Sequence, residues 1–363
     1  MELPATTEEI TVEWLNEVLH ENGFLGTANI VSLKQERLGT GVGFLSNIAR
    51  LKLKYGQDGS ALPSTIIAKL PPPPRPGTPG LAKINFEREI GFYRNIAPDS
   101  PIRTPHIIYA AADSENQKYN ILMEDCSVYS EIDPSNQGLD FDEVSTIAIN
   151  MADFHSKWWD YQQPSGFTWL TTLNDSFVKS MYVNAFNAIW ETNVQKDDFR
   201  DSLPAGGWEA GLKIHQNRPL IHEQTPLDRL TINHGDLRSN NIFFDPNNRQ
   251  EPFIYFDWGM TYKGRGPYDI SYLMGLSVST DLRRKEEKNI LALYHDCLMK
   301  NGITDYSFDE CYNDYLLGLL FNTIVPLNLF RSSEHVADKS FPLSALQRMF
   351  SAVVENEATR LLP

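Results

Sequence analysis

The apolar residues of this 363-residue chain change period part-way along it, so no fold made of one kind of element can hold it. Thr6 and Glu9 have capping-box spacing, and Ile10, Leu15, Val18 and Leu19 keep a helical period until Gly23, which predicts a first helix. NIVSLKQERL (29–38), FLSNIARLKLKY (44–55) and the β-branched STIIAKL (64–70) then read as strands. The run PPPPRPGTPG (71–80) can be neither helix nor central strand, and reads as a stiff surface connection. Helical period returns over about 82–96, and YNILMED (119–125) is a further strand ending in an acidic pair. From about residue 140 the pattern is mainly helical, with apolar stripes in FDEVSTIAINMADFHSKWW and in DLRRKEEKNILALYHDCLMKNG. One hairpin interrupts it: NIFF (241–244) and FIYFDW (253–258), joined by the turn-rich DPNNRQEP. The expected fold class is α+β, with a β-rich N-terminal lobe over 1–124 and a larger, mainly helical C-terminal lobe over 125–363.

Bulk properties narrow the function. The length suits two domains or one domain of two lobes. A net charge of −15 argues against a nucleic-acid partner, and it favours neutral or cationic small molecules over anionic ones. Cys126, Cys297 and Cys311 are sparse and show no C-x-x-C spacing, which speaks against a disulfide framework or a structural zinc site. The N-terminal residues carry acids and no apolar signal region, and no apolar run approaches the ~20 residues a membrane span needs. The expectation is a soluble cytoplasmic protein that does not enter membranes.

HGDLRSNN, residues 234–241, sits just ahead of the hairpin's first strand. Asn241 enters that strand and Asp257 ends the second, so antiparallel pairing should bring an amide oxygen and a carboxylate together. Such a pair suits Mg2+, a hard cation that keeps phosphate oxygens and waters as its other ligands. Asp236, upstream in the same loop, is placed to accept a proton from a hydroxyl. Together these groups equip a site for phosphoryl transfer, where positioning and charge neutralisation supply most of the catalysis.

H-G-D-x-x-x-x-N followed by a hairpin and D-W-G resembles the catalytic and metal-binding loops of the aminoglycoside phosphotransferase and choline kinase group, small-molecule relatives of the protein kinases. The nearest texture is that of the ecdysteroid-kinase-like phosphotransferases. Six elements follow in the family's order: GTGVG (39–43), Lys69 in IIAKL, Glu89 in FEREIGFY, ILMED, HGD and DWG. The resemblance implies a two-lobed protein-kinase-like fold and the use of ATP and Mg2+. It implies that Asp236 is the catalytic base and that Asn241 and Asp257 are the Mg2+ ligands. Gly39, Gly41 and Gly43 would form the nucleotide loop, with phosphate contacts through Ser46 or Asn47 left open. Lys69 would contact the α- and β-phosphates, held by Glu89, with Glu87 as the rival partner. The backbone of Met123, Glu124, Asp125 and Cys126 would bind the adenine edge. His234 would support the loop, and Asp269 would brace it from the following helix. Arg238 stands where protein kinases carry a lysine near the γ-phosphate, and either neutralises charge there or pairs with a nearby acid.

The short stretch between Asp257 and Asp269 has no A-P-E, which counts against a protein substrate. The expected partner is a small-molecule hydroxyl acceptor, neutral or cationic. Trp158, Trp159, Trp169, Trp190 and Trp208 could cage a cation, although core packing is the simpler account of most of them. Two alternatives stay open on the sequence alone: a choline- or ethanolamine-type kinase, and an inactive pseudokinase used as a binding module.

Overall fold

The computed structural model describes residues 2–38, 47–56, 59, 61–72, 81–131, 138–333 and 338–363. The glycine-rich loop 39–43, Ser46 and most of the proline run therefore lie outside the described residues. The chain forms two compact units: Met1–Ser130 with Ile254–Met260, and Glu131–Phe253 with Thr261–Pro363.

The first unit is built on five strands, β1 (Ile30–Leu38), β2 (Asn47–Tyr55), β3 (Thr65–Leu70), β4 (Ile107–Asp113) and β5 (Lys118–Glu124). They run antiparallel in the order β1-β2-β3-β5-β4. Alternation decides the two faces. Ala49, Leu51 and Leu53 of β2, with Ile66, Ala68 and Leu70 of β3, turn to a core shared with Trp14, Leu15, Val18 and Leu19 of helix α1 (Val12–Glu21). Lys69, one residue out of phase with Ala68 and Leu70, is thereby sent to the opposite face. There it meets helix α2 (Leu81–Asn95), which buries Phe86, Ile90 and Phe92.

Two expectations change here. The first helix begins later than the Thr6/Glu9 spacing suggests: Thr6 makes no side-chain cap, and residues Thr7–Glu9 form a single 3-10 turn. The cap is Thr11, whose hydroxyl accepts from Trp14 N at 3.1 Å. Strand β4 was not expected, because IIYAAAD carries three alanines of low strand preference.

The second unit is mainly helical: α3 (Phe141–Lys157), α4 (Ser176–Asn193), α5 (Gly207–Gln216), α6 (Arg218–Glu223), α7 (Pro267–Ser277), α8 (Thr280–Lys300), α9 (Phe308–Asn322), α10 (Ile324–Ser332) and α11 (Ser340–Glu355). Asp140 and Glu143 close a reciprocal capping box at the start of α3. Helix α7 is buried along its whole length and so forms the unit's centre. The buried Arg218 of α6 donates to Leu320 O and Phe321 O, both at 3.0 Å, and so satisfies carbonyls of the last turn of α9. Strand β6 (Thr231–Asn233) leads into the HGD loop, and β7 (Ile242–Phe244) leads out of it. Beyond β7, Asp245 N donates to Pro252 O at 2.7 Å, which closes the turn before β8 (Phe253–Tyr255). Strand β9 (Tyr262–Gly264) pairs antiparallel with β6, Tyr262 facing Asn233. No helix among the described residues is long and apolar enough to cross a membrane.

Candidate active site

In the first unit, Lys69 lies on β3 between Ile48 of β2 and Ile121 of β5, so its backbone is fixed by strands on both sides. Its ammonium is held at 2.8 Å by Glu89 of α2 and at 2.8 Å by Asp257. Burial alone would lower the lysine's pKa; Asp257 and Glu89 more than reverse that and leave it raised, so Lys69 stays charged. The glutamate carboxyl is pushed up by burial, against the pull of Lys69, to about 7. Glu87, the rival partner, instead accepts from Ser114 Oγ at 2.6 Å.

Asp257 owes its position to its neighbours. Trp258 stacks on Phe92 of α2 with ring centroids 3.7 Å apart, and its Nε1 donates to Tyr255 O at 3.0 Å. Between these anchors Asp257 adopts φ +64°, a left-handed conformation that aspartate tolerates better than most residues. Its side chain is 43% exposed against 2% for Glu89. Two carboxylates thus face one ammonium, and the excess negative charge sits on the accessible one. That is where a cation would be received.

At the end of β5 the chain turns through Met123, Glu124, Asp125 and Cys126. Glu124 N donates to His106 O at 2.9 Å, and the Glu124 carboxylate accepts from His106 N at 3.1 Å. Asp125 accepts from Arg50 Nε at 2.7 Å and from Ser127 N at 3.2 Å. Burial would raise the Asp125 carboxyl; these bonds outweigh it and leave it below its ordinary value. Burial pushes the Cys126 thiol up to about 12, so it has no thiolate character at neutral pH. The segment is thereby a pinned backbone edge.

In the second unit the HGD loop is held by its own backbone. The Asp269 carboxylate, buried on α7, accepts from His234 N at 2.6 Å and from Gly235 N at 3.0 Å. Gly235 has φ +79°, which lets two successive N–H groups converge on one acid. His155 of α3 backs that acid: its Nε2 lies 3.3 Å from Asp269 and its Nδ1 2.9 Å from Tyr294 Oη. Beyond the turn, Asp236 Oδ2 and Asp236 O both accept from Asn241 Nδ2 at 2.8 Å. This fixes the amide's orientation and leaves Oδ1, the oxygen a hard cation takes, as its remaining acceptor. Arg238 Nε stands 3.4 Å from Asp236 Oδ1, so the nearby acid that Arg238 meets is Asp236 itself. Tyr272 of α7 donates its hydroxyl to the same Oδ1.

No motif in the sequence singles out Tyr272 or His155. The signal for Tyr272 was its spacing: it follows Asp269 by three residues, hence on the same helix face. Among the tryptophans, Trp158 and Trp190 are buried, whereas Trp159, Trp169 and Trp208 are half-buried; Trp190 packs with Trp208, Trp159 with Tyr306 and Trp169 with Phe167. No cluster of three or more His, Cys, Asp or Glu side chains able to hold a metal occurs among the described residues. The donors present fit Mg2+, which uses one or two protein oxygens and takes the rest from phosphates and water.

The family model that matches this sequence is described as the ecdysteroid kinase-like family and spans residues 40–303. No curated protein matches the chain. Among solved structures, choline kinase from Cryptosporidium parvum Iowa II superposes with a TM-score of 0.56 at 11% identity, over 97% of this chain and 96% of that one. The Plasmodium vivax ethanolamine kinase gives a TM-score of 0.52 at 14% identity, over 90% and 83%. A variant of aminoglycoside 2′-phosphotransferase-IIIa in its GDP complex gives 0.51 at 13% identity, over 95% and 97%. At these identities the likeness is one of fold: a protein-kinase-like architecture with a β-rich N-terminal and a helical C-terminal part.

Proposed function

The chain belongs to the ecdysteroid kinase-like family, and on that footing we propose that it is an ATP- and Mg2+-dependent phosphotransferase acting on a hydroxyl group of a small molecule. The observation that carries this reading is Lys69 held at 2.8 Å by both Glu89 and Asp257 inside one unit. An inactive binding module would have no need to keep the buried Lys69–Glu89 pair, which costs desolvation to maintain.

The roles follow from the local chemistry. Lys69, kept charged, offers its ammonium to the α- and β-phosphates, and Glu89 holds it in place. Asp257, through a carboxylate oxygen, and Asn241, through an amide oxygen, are the residues that would hold Mg2+, which when bound would neutralise phosphate charge. Asp236 orients the acceptor hydroxyl and takes its proton as the hydroxyl oxygen bonds to the γ-phosphorus. The bond from that phosphorus to the bridging oxygen breaks, and ADP leaves. Arg238, against Asp236, adds positive charge near the transferred group. The backbone at Met123–Cys126 serves the adenine edge, and Gly39, Gly41 and Gly43 the phosphates.

A neutral or cationic acceptor suits this chain better than an anionic one. Lys179 is paired with Glu223 and Arg229 with Glu310, while Lys196 and Arg218 bind helix-end carbonyls. None of these cations is left over for an anionic substrate. The test is ATP consumption by the purified chain over sugar alcohols, amino alcohols, aminoglycosides, nucleosides and hydroxy acids, with Mg2+ omitted in one arm. Mg2+-dependent phosphorylation of a neutral or cationic alcohol is expected. Preference for hydroxy acids would overturn the acceptor assignment, and no transfer to any class the assignment of activity.

A further inference from the structure

We infer that Tyr272 is a positioning residue that fixes the orientation of the Asp236 carboxylate. The inference rests on the reading of Asp236 as the base. It begins with helix α7, where Asp269 and Tyr272 stand one turn apart on one face. The first binds the loop's backbone at His234 and Gly235, and the second binds its side chain at Asp236 Oδ1. One buried helix thus sets both the path of the loop and the orientation of the acid that the loop carries.

A carboxylate has about four acceptor positions, two on each oxygen. Tyr272 Oη donates to Oδ1 and Asn241 Nδ2 donates to Oδ2, while Arg238 Nε stands 3.4 Å from Oδ1 as an ion pair. The positions left over are those an acceptor hydroxyl would use, and their direction depends on how the carboxylate is turned. With Asn241 as its sole fixed donor the carboxylate could rotate about its last bond. Donors on both oxygens stop that rotation, and a misplacement of about 1 Å at a reacting group costs on the order of 100-fold in rate. The Tyr272 ring is buried, and burial, followed by the Asp236 charge, raises its hydroxyl well above 10, so it remains a proton donor throughout the working pH range. Phenylalanine would fill the same space; only the oxygen distinguishes the two.

Tyr272→Phe is therefore the informative variant, measured alone and combined with Asp236→Ala. The expected result is a parent-like KM for ATP, with kcat lower by about 10- to 100-fold. In the Asp236→Ala background the same change should leave residual turnover unaltered, because the group it positions is gone. Urea midpoints of the four proteins should be non-additive, a readout that needs no activity. Equal turnover of parent and Asp236→Ala would remove the base reading itself. Loss of turnover in Asp236→Ala with full kcat in Tyr272→Phe, losses that add, or additive urea midpoints would each overturn the role of Tyr272 alone.

Discussion

Asp257 combines a left-handed backbone with a half-exposed carboxylate, and the two properties can be separated by one substitution. Asparagine tolerates φ +64° as well as aspartate does, so Asp257→Asn changes charge with little backbone cost. Half-maximal activity should then require more Mg2+, with lower turnover at saturation. An unchanged Mg2+ titration would remove Asp257 from the metal's ligands. The companion change at the base, Asp236→Ala, should lower turnover by roughly 10²–10⁴-fold while nucleotide binding persists, the usual range for a general base; fluorescence titration with a nucleotide analogue alongside the rate checks both halves. At this scale the sequence was informative wherever a residue's role follows from its place in a motif. Lys69, Glu89, Asp236, Asn241 and Asp257 could be put forward as candidates from the motifs they stand in, and the structure joins Lys69 to Glu89 and Asp257, and Asn241 to Asp236. Tyr272 and His155 could not be put forward in this way, because what each does depends on which loop or helix its own face meets.

Elements were legible where periodicity was long and one face was wet. β2, α3 and α8 follow the apolar pattern closely, because each alternates or stripes against a solvated side, whereas β5, buried on both faces, is legible as a short apolar run. Short or alanine-rich elements were not: β4, and the three-residue strands β6 and β9, carry too few side chains to show a period. The sheet order was also out of reach, since β3 pairs with β5 across the intervening α2 and β4. The start of α1 shows how a local signal misleads. Glu9 reaches back to Ala5 N at 2.8 Å, and Thr11 supplies the cap that the Thr6 spacing appeared to offer. Thr11→Ala should therefore cost about 1 kcal/mol in unfolding free energy, the usual loss of a cap. Thr6→Ala should cost less, and equal losses in urea unfolding would put the cap back at Thr6. A steric version of the same reasoning applies at Gly266, where an added Cβ would lie 2.2 Å from Tyr294 Oη and 2.7 Å from His155 Nδ1. Gly266→Ala should disturb the pair that backs Asp269 and lower the thermal midpoint.

For the molecule as a whole, the response to acid should depend on groups buried without a counter-charge. His222 is fully buried on α6; its Nδ1 lies 3.2 Å from Leu173 O, and its Nε2 has no partner among the described residues. Burial, reinforced by the neighbouring Arg218 charge, pulls its pKa down to about 4. A histidine depressed in this way contributes stability that is fully present above its unfolded pKa of about 6.5 and is lost as pH falls through the folded value. Glu89 and Asp314 act with the opposite sign. Burial raises them to about 7 and about 6, so their contributions are complete at low pH and fade as pH rises through those values. The histidine's effect can be isolated by comparison with His222→Asn, whose amide can still donate to Leu173 O but does not titrate. Near pH 7.5 the parent should be the more stable protein, because its ring packs on Phe321 at 5.3 Å between centroids. Between pH 6.5 and 4 that advantage should shrink, since the parent alone must keep a group neutral that water would charge. Urea midpoints of both proteins across this range measure the gap directly, and a gap that stays constant would show that His222 carries no part of the acid response.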